Sequence, residues 1–382
     1  VSRRLLLAVG AAVGISAVAL SGLAALGTDP TAADADGWTG WTGRVDSSVE
    51  ADKAAMTPDD ASALRLLARS AGAASTVAYA GRVVSRGRAG TVTTDLLHVP
   101  GRGTVATTPG QTGTPAQFAP DGRSGSFADD GRPLALLSVN YRVLRDAELD
   151  TPVAGRPTDA VVAVDTSGAV AARYWVDRAT GLLLRKEIVD SSGRVWSQAG
   201  FATFDATPAT PSAMPTQAAD AWSEPLDSAA LGKARQRGCA CPESLPGGLT
   251  LLDAREAPAG AVASEPVVHQ LFSDGLVTVS LFSLEGELTD DDTAGLVARG
   301  FTRTELGGWY AWMRGGSAAA PTVTVVWECR GSVLTLVSED ALEPVTLASS
   351  VLAALPPAEP DVDSSLAARI ARGWQRITGD GS

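Results

Sequence analysis

Lysine, histidine and cysteine are scarce in this chain. Only Lys53, Lys186 and Lys233 are lysines among 31 basic residues, and the 382 residues hold two histidines, His98 and His269, and three cysteines, Cys239, Cys241 and Cys329. A zinc site would need nearly all of these histidines and cysteines in one place, which argues against a metalloenzyme; no cofactor is expected. The net charge of −12 becomes −14 without the first 28 residues, whose only charges are Arg3 and Arg4. Such a surface repels phosphate backbones, so nucleic acid is not an expected partner. Neither a Gly-x-Ser-x-Gly elbow nor a phosphate-binding glycine loop occurs, so no enzyme is expected. The shortage of lysine beside 40 glycines reflects a GC-rich coding sequence and carries no chemistry. What is present, 45% hydrophobic and 19% charged residues with only 5% aromatic, suits folded globular material in two domains.

The uncharged run Leu5–Gly27 follows Arg3 and Arg4 directly. At about 1.5 Å per residue it reaches roughly 35 Å as a helix, enough to cross a bilayer. The basic pair before it places the N-terminus on the cytoplasmic side and the rest of the chain outside. Residues 1–28 are therefore expected to be a signal anchor or transmembrane helix, giving a single-pass membrane protein. Export with cleavage near Ala32–Ala35 is the alternative. Residues 29–57, with the Gly-Trp-Thr-Gly-Trp-Thr-Gly repeat around Trp38 and Trp41, read as a tether.

A helix start at Thr57-Pro58-Asp59-Asp60 opens the first domain, residues 58–205, with Ala63, Leu66, Leu67 and Ser70 on one face. From Thr76 the period shifts toward two, and apolar segments separated by Gly, Pro, Asp or Ser clusters describe an antiparallel meander. Its members include PLALLSV and YRVLRD near residues 133–146, then AARYWVD, LLLRKEIVD and RVWSQAGFATF joined by short turns at Asp177–Gly181 and Asp190–Gly193. Residues 107–130 read as a loop. The proline-rich stretch 206–244 reads as a linker with one short helix, and residues 245–358 as a smaller α+β domain. In that domain, strands surround the turn Ser273-Asp274-Gly275, and Thr289 with three aspartates opens a helix ending at Gly300. The tail, 359–382, carries an amphipathic basic helix with Leu366, Ile370, Trp374 and Ile377 on one face.

Cys239-Ala240-Cys241 lacks the two-residue spacing of zinc or thioredoxin-like motifs. In an exported chain oxidation is favoured, and the expected pairing joins Cys329 to Cys239 or Cys241, leaving one cysteine over. His98 and His269 lie in apolar strands, where a hydrogen-bonded structural role is the ordinary one. Asp290-Asp291-Asp292 suits a helix start better than a cation loop, which alternates its ligands.

Several segments together resemble the RseB/MucB family of sigma-factor regulatory proteins. They are the passage 61–85, the strand end Asp95-Leu96-Leu97-His98 and the run 153–204. That run carries Ala154-Gly155-Arg156, the Tyr174-Trp175-x-Asp177-x-x-Thr180-Gly181-Leu182 hairpin and Phe201-x-x-Phe204. In the second domain they are residues 245–255 and 269–282. The resemblance implies a LolA-like first domain, an incomplete antiparallel β-barrel with a helix in its concavity, followed by a smaller α+β domain. It also implies a negative regulator that binds the extracytoplasmic part of a membrane anti-sigma factor and shields it from proteolysis. Lipid or lipoprotein is a further expected ligand, and the alternative function is a lipid or lipoprotein carrier. Homo-oligomerisation is left open. The Ser273-Asp274-Gly275-Leu276 turn is the candidate partner-binding element, beside the plainer reading that it only builds the fold.

Overall fold

The computed structural model describes residues 58–87, 90–109, 117–119, 132–208, 225–260, 263, 265–315, 323–338 and 344–356. The expected span Leu5–Gly27, the tether, most of the 107–130 loop, the middle of the linker and the tail helix lie outside the described residues. Among the described residues no helix is long and apolar enough to cross a membrane.

Helix α1 (Pro58–Thr76) leads into β1 (Tyr79–Gly87), β2 (Gly90–Val99), β3 (Gly103–Thr107) and β4 (Gln117–Ala119). After these come α2 (Arg132–Asn140), β5 (Arg142–Arg145), β6 (Thr158–Val164), β7 (Val170–Asp177), β8 (Leu183–Val189) and β9 (Val195–Asp205). All nine strands form one antiparallel sheet in the order β4-β3-β2-β1-β9-β8-β7-β6-β5. The meander runs out from β5 to β9, and β9 returns to β1, so the chain's first and last long strands meet mid-sheet. Its outer strands β4 and β5 are not neighbours, so the barrel is open, as expected. The side chains of α1 (Ala63, Leu66, Leu67) and α2 (Leu137) pack with Val143, Val161, Ala172, Tyr174 and Ile188 of the sheet. The 3.6-residue period of α1 thus meets the two-residue period of the strands over one shared core.

The PLALLSV segment, read from sequence as a strand, is helix α2 instead. Its short apolar run satisfies either period. Leu137 is fully buried while Val139, which strand alternation would place on the same face, is 80% exposed. Three strands of the second sheet, Ser244–Leu245, Leu249–Ala257 and Thr302–Leu306, are not expected from sequence either.

In the second domain α3 (Ser228–Gln236) precedes β10 (Ser244–Leu245), β11 (Leu249–Ala257), β12 (Val267–Ser273) and β13 (Thr278–Glu285). Helix α4 (Asp290–Ala298), β14 (Thr302–Leu306), β15 (Trp309–Arg314), β16 (Val323–Cys329), β17 (Ser332–Ser338) and α5 (Pro344–Ala354) complete it. Its eight strands are ordered β10-β11-β12-β13-β17-β16-β15-β14. On one face Ala348, Val351 and Leu352 of α5 pack on Val325, Trp327, Leu334 and Leu336, and Trp327 Nε1 donates to Leu355 O at 2.9 Å. Leu296 of α4 and Phe301 just beyond it cover the alternate residues Val326 and Val333. Helix α3, in the expected linker, packs Leu231 and Ala234 on Ala254 and Val268, so packing of the second domain begins before residue 245.

Candidate functional site

Three segments behind the family resemblance converge on one cluster in the first domain. Arg156 donates from Nε and Nη2 to the two carboxylate oxygens of Asp177, both at 2.9 Å, and its guanidinium lies 5.2 Å from the centre of the Phe204 ring. Asp177 Oδ2 also accepts from the Thr180 amide at 2.8 Å and hydroxyl at 2.7 Å. Burial pushes the Asp177 carboxyl up, but the Arg156 fork and the Thr180 donors outweigh it and hold it below the usual carboxylate range. Trp175 Nε1 donates to Leu149 O at 2.8 Å. These residues clamp the β7–β8 hairpin onto the segment before β6. Their work is structural.

The second constellation is the β12–β13 turn. Ser273 Oγ donates to Val277 O at 2.7 Å and accepts from the Gly275 amide at 2.9 Å, while Asp274 Oδ1 accepts from the Leu276 and Val277 amides, each at 2.8 Å. With Gly275 at φ +97°, the turn is fixed by its own side chains. It inserts into the first domain. Asn140 Nδ2 donates to Asp274 O at 2.8 Å, Tyr141 Oη to Asp274 Oδ2 at 2.7 Å, and Lys186 Nζ to Leu276 O at 3.2 Å. Leu276 packs in the same core as Leu66, Leu67, Leu137 and Tyr174. A Cβ on Gly275 would lie 2.2 Å from Leu137 N and 2.5 Å from Leu137 Cα, so only glycine lets the turn approach the backbone of α2.

Burial, followed by the charge of Asp274, raises the phenols of both Tyr141 and Tyr174 well above the ordinary tyrosine range. Tyr141 therefore stays protonated and donates. Strand register accounts for Lys186: Val161, Tyr174, Lys186, Ala199 and Ser85 form one row across five strands, beneath the inserted turn.

The four residues singled out as a partner surface are thus all buried in this domain junction, Ser273 at 2%, Asp274 at 8% and Leu276 at 4% exposure. This corrects the sequence expectation of a turn open to a partner. Charge and glycine identify a turn but not what covers it. Asn140, Tyr141 and Lys186 did not stand out in the sequence reading. Lys186 could have: one of three lysines, it occupies the same strand parity as the buried Leu184 and Ile188.

The cysteines also differ from expectation. Cys239 is bonded to Cys241, with Cα atoms 5.3 Å apart, and Cys329 is a buried free thiol. Their closeness in sequence lets the pair meet without help from the fold. His98 shares a hydrogen bond with Thr104 Oγ1 at 3.0 Å, and His269 one with Ser280 Oγ at 3.1 Å. Burial lowers the pKa of His269 to about 4, with Asp253 opposing and Arg255 adding to the shift. Thr289 and Asp292 form a capping box at the start of α4. Among the described residues no group of three or more His, Cys, Asp or Glu side chains could hold a metal ion.

Fold and junction together define a class: a two-domain α+β protein built on an open antiparallel barrel, its halves locked by an inserted turn. The chain carries a MucB/RseB N-terminal domain, whose family model matches residues 104–222. That match begins inside β3, so the resemblance at 61–85 and in the second domain falls outside it. No curated protein matches the chain. Among solved structures, MucB in complex with MucA(peri) is 20% identical, with TM-score 0.46 over 76% of this chain and 97% of that one. The Pseudomonas aeruginosa MucA/MucB complex is 19% identical, with TM-score 0.44 and the same coverage. A putative outer membrane lipoprotein-sorting protein domain from Vibrio parahaemolyticus is 11% identical, with TM-score 0.17 over 74% of this chain and 92% of that one.

Proposed function

We propose that this chain is an extracytoplasmic regulatory binding protein that holds the outer part of a membrane-spanning anti-sigma factor and shields it from proteolysis, thereby restraining an envelope-stress sigma factor. The observation that carries this reading is the MucB/RseB N-terminal domain at residues 104–222. The Arg156–Asp177–Phe204 cluster supports it by giving the motifs of the resemblance a common structural purpose. In this reading the Ser273–Leu276 turn serves binding indirectly. It fixes the angle between the domains and hence the surface they jointly present. Leu5–Gly27 carries the chain through the membrane, as an anchor or a removed signal; N-terminal sequencing of the mature protein that begins near residue 29–36 would establish removal.

The carrier alternative needs an open concavity for cargo. Among the described residues, much of the barrel core is filled by the chain's own α1, α2 and Leu276, which favours a protein-binding role. A bound lipid acting as a stress signal remains compatible with protein binding as a regulatory addition.

The test is a crosslinking pull-down with the full exported chain from membranes of its own cell. A single-span membrane protein as the major product, protected from its protease in the presence of this chain, is the expected result. Recovery of lipid or lipoprotein as the major product, with no single-span protein, would overturn the proposal.

A further inference from the structure

The three cysteines lie in one part of the second domain although 88 positions separate Cys329 from Cys241. The hairpin joining β16 to β17 turns at Arg330 (φ 52°) and Gly331 (φ 78°), which sets Cys329 directly opposite Ser332. Opposed residues of an antiparallel pair have Cα atoms about 4.5–5.5 Å apart and side chains on the same face. From that position Ser332 Oγ donates to Gly238 O at 2.8 Å, fastening the residue just before Cys239 to the end of the hairpin. Ala240, between the two bonded cysteines, packs against the same apolar cluster that contains Cys329. Cys239 and Cys241 themselves pack with Leu231, Ala234, Ala254 and Val268, so it is the backbone at Gly238, one residue before the disulfide, that reaches the hairpin end holding Cys329.

The geometry points to a thiol–disulfide exchange within this chain, in which Cys329 takes over one partner of the Cys239–Cys241 bond. The Cys329 thiolate attacks Cys239 Sγ; the Cys239–Sγ to Cys241–Sγ bond breaks as the new one forms. Cys241 leaves as a thiolate and takes up the proton that Cys329 released. Atoms and electrons balance with no outside oxidant. The first bond ties only neighbouring residues. The second fastens the segment after α3 to β16, closing a loop of about 90 residues. Burial pushes the Cys329 thiol up, so its reactive form is scarce near neutral pH and exchange awaits either alkali or a local opening.

The full exported chain, purified without reductant, is incubated at pH 7 and at pH 8.5. It is then quenched in acid, alkylated under denaturing conditions and mapped as unreduced peptides. The expected result is a label that moves from Cys329 to Cys241, faster at pH 8.5 by roughly the rise in thiolate, about tenfold per pH unit. In Cys241→Ser, glutathione disulfide should convert the remaining two thiols to a Cys239–Cys329 bridge. A label that stays on Cys329 at both pH values, with Cys241→Ser ending as two separate glutathione adducts, would overturn the proposal. If Cys241→Ser does not fold, the label in the unmodified chain decides alone.

Discussion

The inserted turn makes the two domains one cooperative unit, and Gly275→Ala tests this directly. The new methyl would sit 2.2 Å from Leu137 N and 2.5 Å from Leu137 Cα, against backbone that cannot rotate away. The turn must retreat by more than about 1 Å to restore ordinary contact. That retreat draws Leu276 from its buried position and stretches the bonds from Asn140, Tyr141 and Lys186. Loss of a buried leucine alone costs about 2–5 kcal/mol, and the positive φ adds about 1 kcal/mol for a residue bearing a Cβ. Tyr141→Phe is a gentler probe. It leaves turn and packing in place but removes one donor from the buried Asp274 side chain, at a cost of about 2 kcal/mol. By scanning calorimetry the parent should unfold in one transition, and Tyr141→Phe should lower its midpoint by about 3 °C. Gly275→Ala should split the trace in two as each sheet unfolds separately. A single transition in Gly275→Ala at the parental midpoint would refute the argument that the junction couples the domains.

Three further outcomes follow from named contacts. Arg156→Ala strands the carboxylate of Asp177, whose side chain is fully buried, and should cost about 3–5 kcal/mol by urea unfolding, with Arg156→Lys recovering only part because it cannot fork. His269 is held neutral by burial, with its pKa lowered from 6.5 to about 4, so the folded state binds fewer protons than the unfolded one. Its contribution is complete above pH 6.5 and is lost as the pH falls toward 4, by about 2 kcal/mol at pH 5, so His269→Gln should flatten the fall of the urea midpoint between pH 7 and pH 5. Thr289→Ala removes the hydroxyl that accepts from the Asp292 amide at 3.1 Å and should lower stability by about 1 kcal/mol in the same assay, with Thr289→Ser restoring it.

Local periodicity and turn chemistry were enough to determine much of this protein from sequence. The helix cap at Thr289 and the glycine turns at Gly181 and Gly193 depend on neighbours within a few residues, as does the alternation of β6 to β9. Order and spacing of Arg156, Asp177 and Phe204 likewise carried the family resemblance, because the residues of the clamp are spelled out in sequence even though their contacts are not. Tertiary structure decided the rest. Pro133–Val139 became a helix because its leucine side had α1 and β5 to pack against, a choice that a seven-residue apolar run leaves open. Cys329 stayed free although the fold brought it toward the other two cysteines. The Ser273–Leu276 turn has the composition of an exposed loop, and its burial depends on Leu137, Asn140, Tyr141 and Lys186, all more than 85 positions away in the chain. Sequence dictates a turn's shape through bonds to its own neighbours; whether water, a partner or another domain lies against it is set by contacts that have no local signature.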